Sequence, residues 1–390
     1  MVKFYLVGGA VRDRLLGLEA AERDWVVIGA TPKALEALGF RRLDSKFPVF
    51  AHPESGEEYA LARRERKTGP GHKGFVVEFG PDVTLEEDLL RRDLRVNAIA
   101  QSDSGELIDP YGGQADIESR TLQHVSPAFV EDPLRVLRAA RFAARFDLLG
   151  FSIHPSTLEL MRTMSNREEM GALSSGRIWN ETEKALATEK PARYFTELLE
   201  CGALKFLLPE IETAESTSVS TTRFRQFFLS AIDAAAVLDA RTEIRFAAFA
   251  AALAMNGSSK LIERIFGRFP IPKRQADLVR VAIGLHGDMA AAPPLRAAQL
   301  LAALDRADAF RRAERFKDAL LVCRALEFAG EVAIGEAIIA LERAFAAASA
   351  VTGAEVSNAG LRGESVAKEL GRRRLVAVEE SLATEGKSNN

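Results

Sequence analysis

The chain has 390 residues, 47% hydrophobic and 27% charged, enough for two or three domains with their own cores. A formal net charge of -3 argues against a globally basic nucleic-acid binder, and two cysteines, Cys201 and Cys323, exclude a disulfide framework or a cysteine-rich metal site. No run is long and apolar enough to cross a membrane and no basic leader precedes the first strand pattern, so a reducing cytoplasm is the expected compartment.

The first informative stretch is FYLVGGAVRDRLLGLEAAERDWVVI, residues 4–28. Phe4 to Val7 reads as a short apolar strand stopped by Gly8-Gly9, where the missing Cβ atoms let the main chain approach a ligand. Ala10 to Leu16 has helical spacing and ends at Gly17. A glycine turn opening a helix offers N–H groups to an anion, and Arg12 one turn inside adds positive charge. Glu22 to Ile28 is strand-like, and alternation puts Glu22 and Asp24 on one face with Arg23 on the other. Paired carboxylates beside a phosphate cradle suit Mg²⁺, a hard cation, when a substrate brings phosphate oxygens. The unit is neither a Walker A loop nor a dinucleotide fingerprint, since it lacks Gly-Lys-Ser/Thr and the third glycine of GxGxxG.

LVGGAVRDRLLG followed by a carboxylate-x-Asp pair resembles the head of class II tRNA nucleotidyltransferases. These are the CCA-adding enzymes and bacterial poly(A) polymerases of the DNA polymerase β superfamily. The first carboxylate departs from the family, being Glu22 where Asp is usual, but glutamate remains a hard oxygen ligand with one more methylene. The resemblance implies an α+β fold, with a small mixed-sheet head followed by an all-α neck, body and tail. We place these parts at residues 1–130, 131–200, 201–325 and 326–390.

Further along, Thr31-Pro32 reads as an N-cap with proline at the first helical position, and Lys33 to Leu38 as a helix stopped by Gly39. Phe40 to Leu43, Phe47 to His52 and Glu58 to Ala62 are short strand candidates. Glu58 is either a third carboxylate of the site or a charge on a surface edge. Residues 63–74, RRERKTGPGHKG, read as a mobile basic loop able to close over a nucleotide or RNA. Thr84 and Glu87 form a capping box. In RRDLRVNAIA, residues 91–100, Asp93 and Asn97 beside the arginines suggest a hydrogen-bonded lattice. The match to the family's RRDxxxNA motif implies ribose recognition by Arg92 and Asp93, with Asn97 bracing the site.

In EDPLRVLRAARFAAR, residues 131–145, Asp132 and Pro133 open a helix on which Arg135, Arg138, Arg141 and Arg145 recur every three or four residues. Such like charges repel unless acidic partners or phosphate groups face them, and guanidinium grips phosphate in two-pronged fashion. Asp132 and Arg135 can face one pocket. A carboxylate acceptor beside an arginine donor matches the amino group and bare ring nitrogen of cytosine or adenine, and leaves unpaired groups against uracil or guanine. The likeness to the EDxxR motif implies base reading by Asp132 and Arg135. It also implies triphosphate contacts by Arg138 and Arg141 together with Gly9 and Arg12. Arg177 and Glu181, in a segment like the family's RIxxE motif, read as structural braces for the helix carrying Arg135.

From about residue 200 the pattern is helical throughout. Relatives with this head often carry a metal-dependent His-Asp phosphohydrolase domain here, yet Phe246 to Met255 contains neither residue and His286 stands alone, so the scaffold is expected without that activity. Arg372 to Arg374 form a solvated face or a weak tRNA-backbone contact. The resemblance therefore implies Mg²⁺-dependent addition of CCA to tRNA from CTP and ATP, by a monomer or homodimer. A poly(A) polymerase, an enzyme adding only C or only A, or a non-catalytic nucleotide- and RNA-binding homologue would share these motifs.

Overall fold

The computed structural model describes residues 2–20, 22–44, 47–67, 75–166, 168–171, 173–212, 220–256, 259–291, 296–330, 332–357 and 364–383. The chain divides into two compact units, Met1–Pro209 and Glu210–Asn390. The first is α+β and the second helical in its described residues.

The first unit is built on a mixed sheet in the order β3-β4-β5-β2-β1-β8-β9. Its strands are β1 Lys3–Val7, β2 Asp24–Ile28, β3 Arg41–Arg42, β4 Val49–Ala51, β5 Glu58–Leu61, β8 Ala100–Ser102 and β9 Leu107–Ile108. Strand β1 is antiparallel to both β2 and β8, while β2 runs parallel to β5. Alternation buries the two faces of β2 in different clusters. Val26 joins Val7, Leu85 and Leu89 on one side, and Val27 joins Leu35, Phe50 and Tyr59 on the other. The helices of the head are α1 Gly9–Leu15, α2 Pro32–Ala37, α3 Leu85–Leu90 and α4 Gly113–Glu118. The caps expected from sequence are present: Thr31 accepts from Ala34 N–H before Pro32, and Thr84 and Glu87 close a reciprocal capping box.

The structure corrects one reading here. Arg63 to Lys67, expected to begin a loop, form strand β6 paired antiparallel with β7 Phe75–Phe79. The ion pair of Arg64 with Glu87 of α3 ties this hairpin down, as does the Arg63 N–H donated to Asp88. Residues 68–74 of the expected loop lie outside the described residues.

After the sheet the chain passes through α5 Leu134–Arg145, α6 Pro155–Ser165, α7 Glu168–Gly171, α8 Ser175–Leu186 and α9 Ala192–Glu200. Two short strands, β10 Thr121–Leu122 and β11 Ser152–Ile153, pair in parallel beside α5. Ala139, Ala140, Ala143 and Ala144 keep one side of α5 small and fully buried, so its arginines emerge from the other.

Asp116 of α4 is buried, and its Oδ2 has no hydrogen-bond partner among the described residues. Burial pushes its carboxyl up to about 6, against the pull of Arg95 and His154. The folded value lies above the unfolded one near 4, so stability is lost as pH rises between these values and stays lost above them. Asp116→Asn is therefore expected to stabilise the protein by about 1 kcal/mol at pH 8 and to have little effect at pH 4. Denaturant melts at the two pH values check this.

In the second unit, helices Thr221–Leu238, Thr242–Asn256, Lys273–Ala291 and Ala313–Ala329 pack on one another, and Phe224, Phe228 and Phe249 of the first two are buried in ring contact. His286 is buried inside its helix, where desolvation lowers its pKa. On the last helix, Glu364–Ala383, Arg372 and Arg373 both pair with Glu369, and Arg374 lies over the Phe310 ring at 3.8 Å.

Candidate active site

Strand β1 ends at Val7, and Gly8 turns the chain at φ +69° into α1. Asp24 is the first rung of β2, with Val7 across from it on one side and Glu58 on the other. Residues in register across a ladder share a face, so Asp24 and Glu58 point the same way, as do Trp25 and Tyr59 on the opposite face. Glu22 was expected inside the strand, but the ladder begins only at Asp24 and Glu22 lies in an exposed lead-in. The cause is local: β1 turns away at Gly8, so no strand remains for Glu22 to pair with. Glu22 still stands close enough to act electrostatically on Asp24. Partial desolvation leads in raising the Asp24 carboxyl, Arg92 opposes it, and Glu22 adds to the rise.

Arg92 packs onto the glycine turn. A Cβ built on Gly8 would meet Arg92 Nη1 at 2.7 Å. The guanidinium donates to Asn97 O and to Asp88 Oδ2, both at 3.3 Å, and its Nε–H has no acceptor among the described residues. Gly8→Ala would combine a left-handed backbone with this clash, so we expect a loss of about 2 kcal/mol and displacement of Arg92. Thermal melts check the first effect and a crystal structure of the variant the second.

Asp93 and Asn97 form the lattice read from sequence. Asp93 Oδ1 accepts from Leu94 N–H at 2.8 Å and from Asn97 Nδ2 at 3.0 Å, while Oδ2 accepts from Arg138 Nε at 2.6 Å. Asn97 Oδ1 accepts from Arg12 Nη1. Arg12 itself is buried, with two nitrogens on Asp13 Oδ1 and its guanidinium about equally close to the Phe142 and Phe146 rings, at 5.0 and 4.9 Å. The structure thus places Arg12 inside the lattice. Gly9 sits against it, an added Cβ lying 3.5 Å from Arg12 Nη2.

The arginine row of α5 finds acidic partners within the protein. Arg138 pairs with Asp93 and lies 3.9 Å from Glu181, Arg141 pairs with Glu181 at 2.6 Å, and Arg145 pairs with Asp13 at 2.8 Å. The row is therefore a seam binding α5 to α1 and to the segment after α3 on one side and to α8 on the other. Arg141 keeps little exposure, whereas the Arg138 side chain is 36% exposed. At the N-terminal end, Arg135 donates to the main-chain oxygens of Ala128 and Arg91. Asp132 accepts from Leu134 N–H and from Arg177 Nη2, both at 3.0 Å. Arg177 and Glu181 thus brace α5, through Asp132 and through Arg141 and Arg138.

Three acids that the sequence reading passed over organise these groups. Asp88, fully buried in α3, receives Arg91, Arg92 and Arg63 N–H. Its spacing of three and four from Arg91 and Arg92 was a usable signal. Asp13 joins Arg12 to Arg145, and Glu57 receives Trp25 and Arg23. Only the tertiary structure reveals these last two connections.

Among the described residues, no three His, Cys, Asp or Glu side chains gather closely enough to enclose a metal ion alone. Asp24 with the charge of Glu22 beside it, at an open strand end, fits instead a hard cation completed by a substrate's phosphate oxygens. A carboxylate-bearing strand beside a glycine turn, on a small mixed sheet followed by helices, is the arrangement that the sequence resemblance implies.

The comparisons agree. Residues 4–123 match the family model of the poly A polymerase head domain, and residues 150–215 match that of a probable RNA and SrmB-binding site of polymerase A. The multifunctional CCA protein of Thioalkalivibrio sulfidiphilus is 44% identical, the alignment covering 99% of this chain and 100% of the relative. That of Nitrosococcus oceani is 43% identical over 98% and 100%. The Bacillus stearothermophilus CCA-adding enzyme in complex with CTP is 26% identical with a TM-score of 0.66, covering 99% of this chain and 95% of that one. The chain belongs to the family of CCA-adding tRNA nucleotidyltransferases. Nucleotidyltransferases of this polymerase class generally work with a divalent metal ion.

Proposed function

We propose that this chain builds and repairs the 3′-terminal CCA of tRNA. It adds C twice and then A, from CTP and ATP, without a nucleic-acid template, and releases pyrophosphate. The observation that carries this reading is Asp24 in register with Glu58 beside the Gly8 turn, in a chain similar from end to end to CCA proteins.

Asp24 and Glu22 would hold Mg²⁺, which supplies positive charge for the attacking and leaving oxygens of nucleotidyl transfer. Glu58, one rung across from Asp24, is the third carboxylate at the reacting end of the sheet. The Gly8-Gly9 turn lets the triphosphate approach the main chain, and the packing of Arg92 Nη1 against Gly8 supports its role in recognising the ribose. Arg138 has the exposure to face phosphate, while Asp93 supports it and serves the ribose through the lattice. Arg12 and Arg141 act on the triphosphate from within that lattice, as fixed positive charge rather than as open contacts.

Asp132 and Arg135 read the base. Each spends only part of its hydrogen-bonding capacity inside the protein, leaving carboxylate lone pairs and guanidinium N–H groups for the pairing edge of C or A. The tRNA lies across the helical part, held by backbone and shape. The enzyme works as a monomer or homodimer in the cytoplasm.

Incubating the protein with Mg²⁺ and a tRNA lacking its three terminal residues tests this. CTP alone should add two residues, ATP alone none, and both together three. A ladder from ATP alone would mark a poly(A) polymerase, and no incorporation in any lane would mark a binding protein.

A further inference from the structure

Asp24 occupies a position that a sheet does not ordinarily hold firmly. It is the first rung of β2, the chain before it is unpaired, and strand ends fray. Both residues that flank it, however, converge on one side chain. Trp25 Nε1 donates to Glu57 Oε2 at 2.9 Å, and Arg23 Nη1 lies 3.4 Å from Glu57 Oε1. The Arg23 guanidinium also lies over the Trp25 ring at 5.5 Å. Trp25 in turn stacks on Tyr59, with centroids 5.3 Å apart and planes 2° from parallel, and Tyr59 is buried against Phe4 and Phe40.

These contacts lie on the face opposite the Asp24 carboxylate, because neighbours along a strand alternate. Glu57 directly precedes Glu58, the ladder partner of Asp24. Its carboxylate therefore ties down both residues flanking Asp24, from the start of the strand that runs parallel to β2. With both oxygens engaged on that far face, Glu57 is not a metal ligand.

We propose that Glu57 is a positioning residue for the cation site, clamping Arg23 and Trp25 so that the Asp24 carboxylate keeps one direction at an otherwise loose strand end. The inference rests on the reading of Asp24 as the cation-holding carboxylate. Groups that orient a metal ligand from behind commonly change metal affinity ten- to a hundredfold when lost.

The test measures Mn²⁺ binding to the full-length protein with CTP by electron paramagnetic resonance, alongside the Mg²⁺ dependence of CTP incorporation. Glu57→Ala should weaken Mn²⁺ binding about tenfold and shift the Mg²⁺ requirement upward equally, with activity recovered at high Mg²⁺. Glu57→Gln keeps an oxygen for Trp25 Nε1 and should recover most of the loss. Trp25→Phe keeps a ring to stack but loses the donor, so it should share the defect; it carries the test if Glu57→Ala does not fold. Asp24→Asn serves as the reference. If Asp24→Asn abolishes metal binding while Glu57→Ala and Trp25→Phe bind Mn²⁺ like the parent, the positioning role is overturned and the site stands. If Asp24→Asn binds Mn²⁺ and transfers nucleotide normally, the reading of the site falls and the inference falls with it.

Discussion

Asp24→Asn is expected to reduce nucleotide transfer by about a thousandfold or more while leaving the fold intact. The substitution preserves shape and the main-chain ladder to Val7 and Glu58, so nothing in the sheet needs to move. What disappears is the negative charge at the open end of β2, which a hard cation requires. Glu22 cannot replace it, because it lies before the ladder in an exposed segment. Single-turnover incorporation at saturating CTP and Mg²⁺, with circular dichroism to verify folding, checks the expectation. Activity within tenfold of the parent would contradict it.

The second large effect is expected at Asp93, and there it falls first on stability. Burial alone would push the Asp93 carboxyl up, but the Arg138 charge, the Asn97 amide and the Leu94 N–H together hold it well below the usual carboxylate range. Asp93→Asn would turn an amide group toward Arg138 and remove the charge that anchors α5 to the segment after α3. Breaking a buried pair costs about 3–5 kcal/mol, and because Arg138 stays part-exposed we expect about 2–3 kcal/mol here. The pH dependence has a definite sign. A carboxyl with a depressed folded pKa contributes stability that is fully present above its unfolded value near 4 and is lost as pH falls toward the folded value. The gap between parent and Asp93→Asn should therefore be constant from pH 6 to 8 and narrow below about pH 4. Urea titrations across that range measure it, and a gap independent of pH would show that Asp93 does not act through its charge.

These two residues also show what the sequence made legible. Gly8-Gly9 and the Asp24 strand were readable because turn chemistry and two-residue alternation are local. The lattice of Asp93 and Asn97 was readable because four residues separate them. The arginine row of α5 was readable only in part: spacing shows that Arg135, Arg138, Arg141 and Arg145 share a side, but not what faces them. Three of the four face Asp93, Glu181 and Asp13, brought there by folding from 45, 40 and 132 positions away along the chain. The start of β2 was misjudged for a related reason. Alternation continues through Glu22 in the sequence, while the ladder stops where β1 turns at Gly8, and pairing is a property of two strands rather than one. The β6–β7 hairpin was missed because basic and glycine-rich composition resembles a loop until the partner strand is known.

Whether Asp24 holds the cation beside the glycine turn is measured by a crystal structure with CTP and Mn²⁺, the metal located by its anomalous signal. Metal density is expected between Asp24, Glu22 and the phosphate oxygens, with the triphosphate against the Gly8-Gly9 turn. Metal bound away from Asp24, or a nucleotide seated elsewhere in the protein, would contradict it.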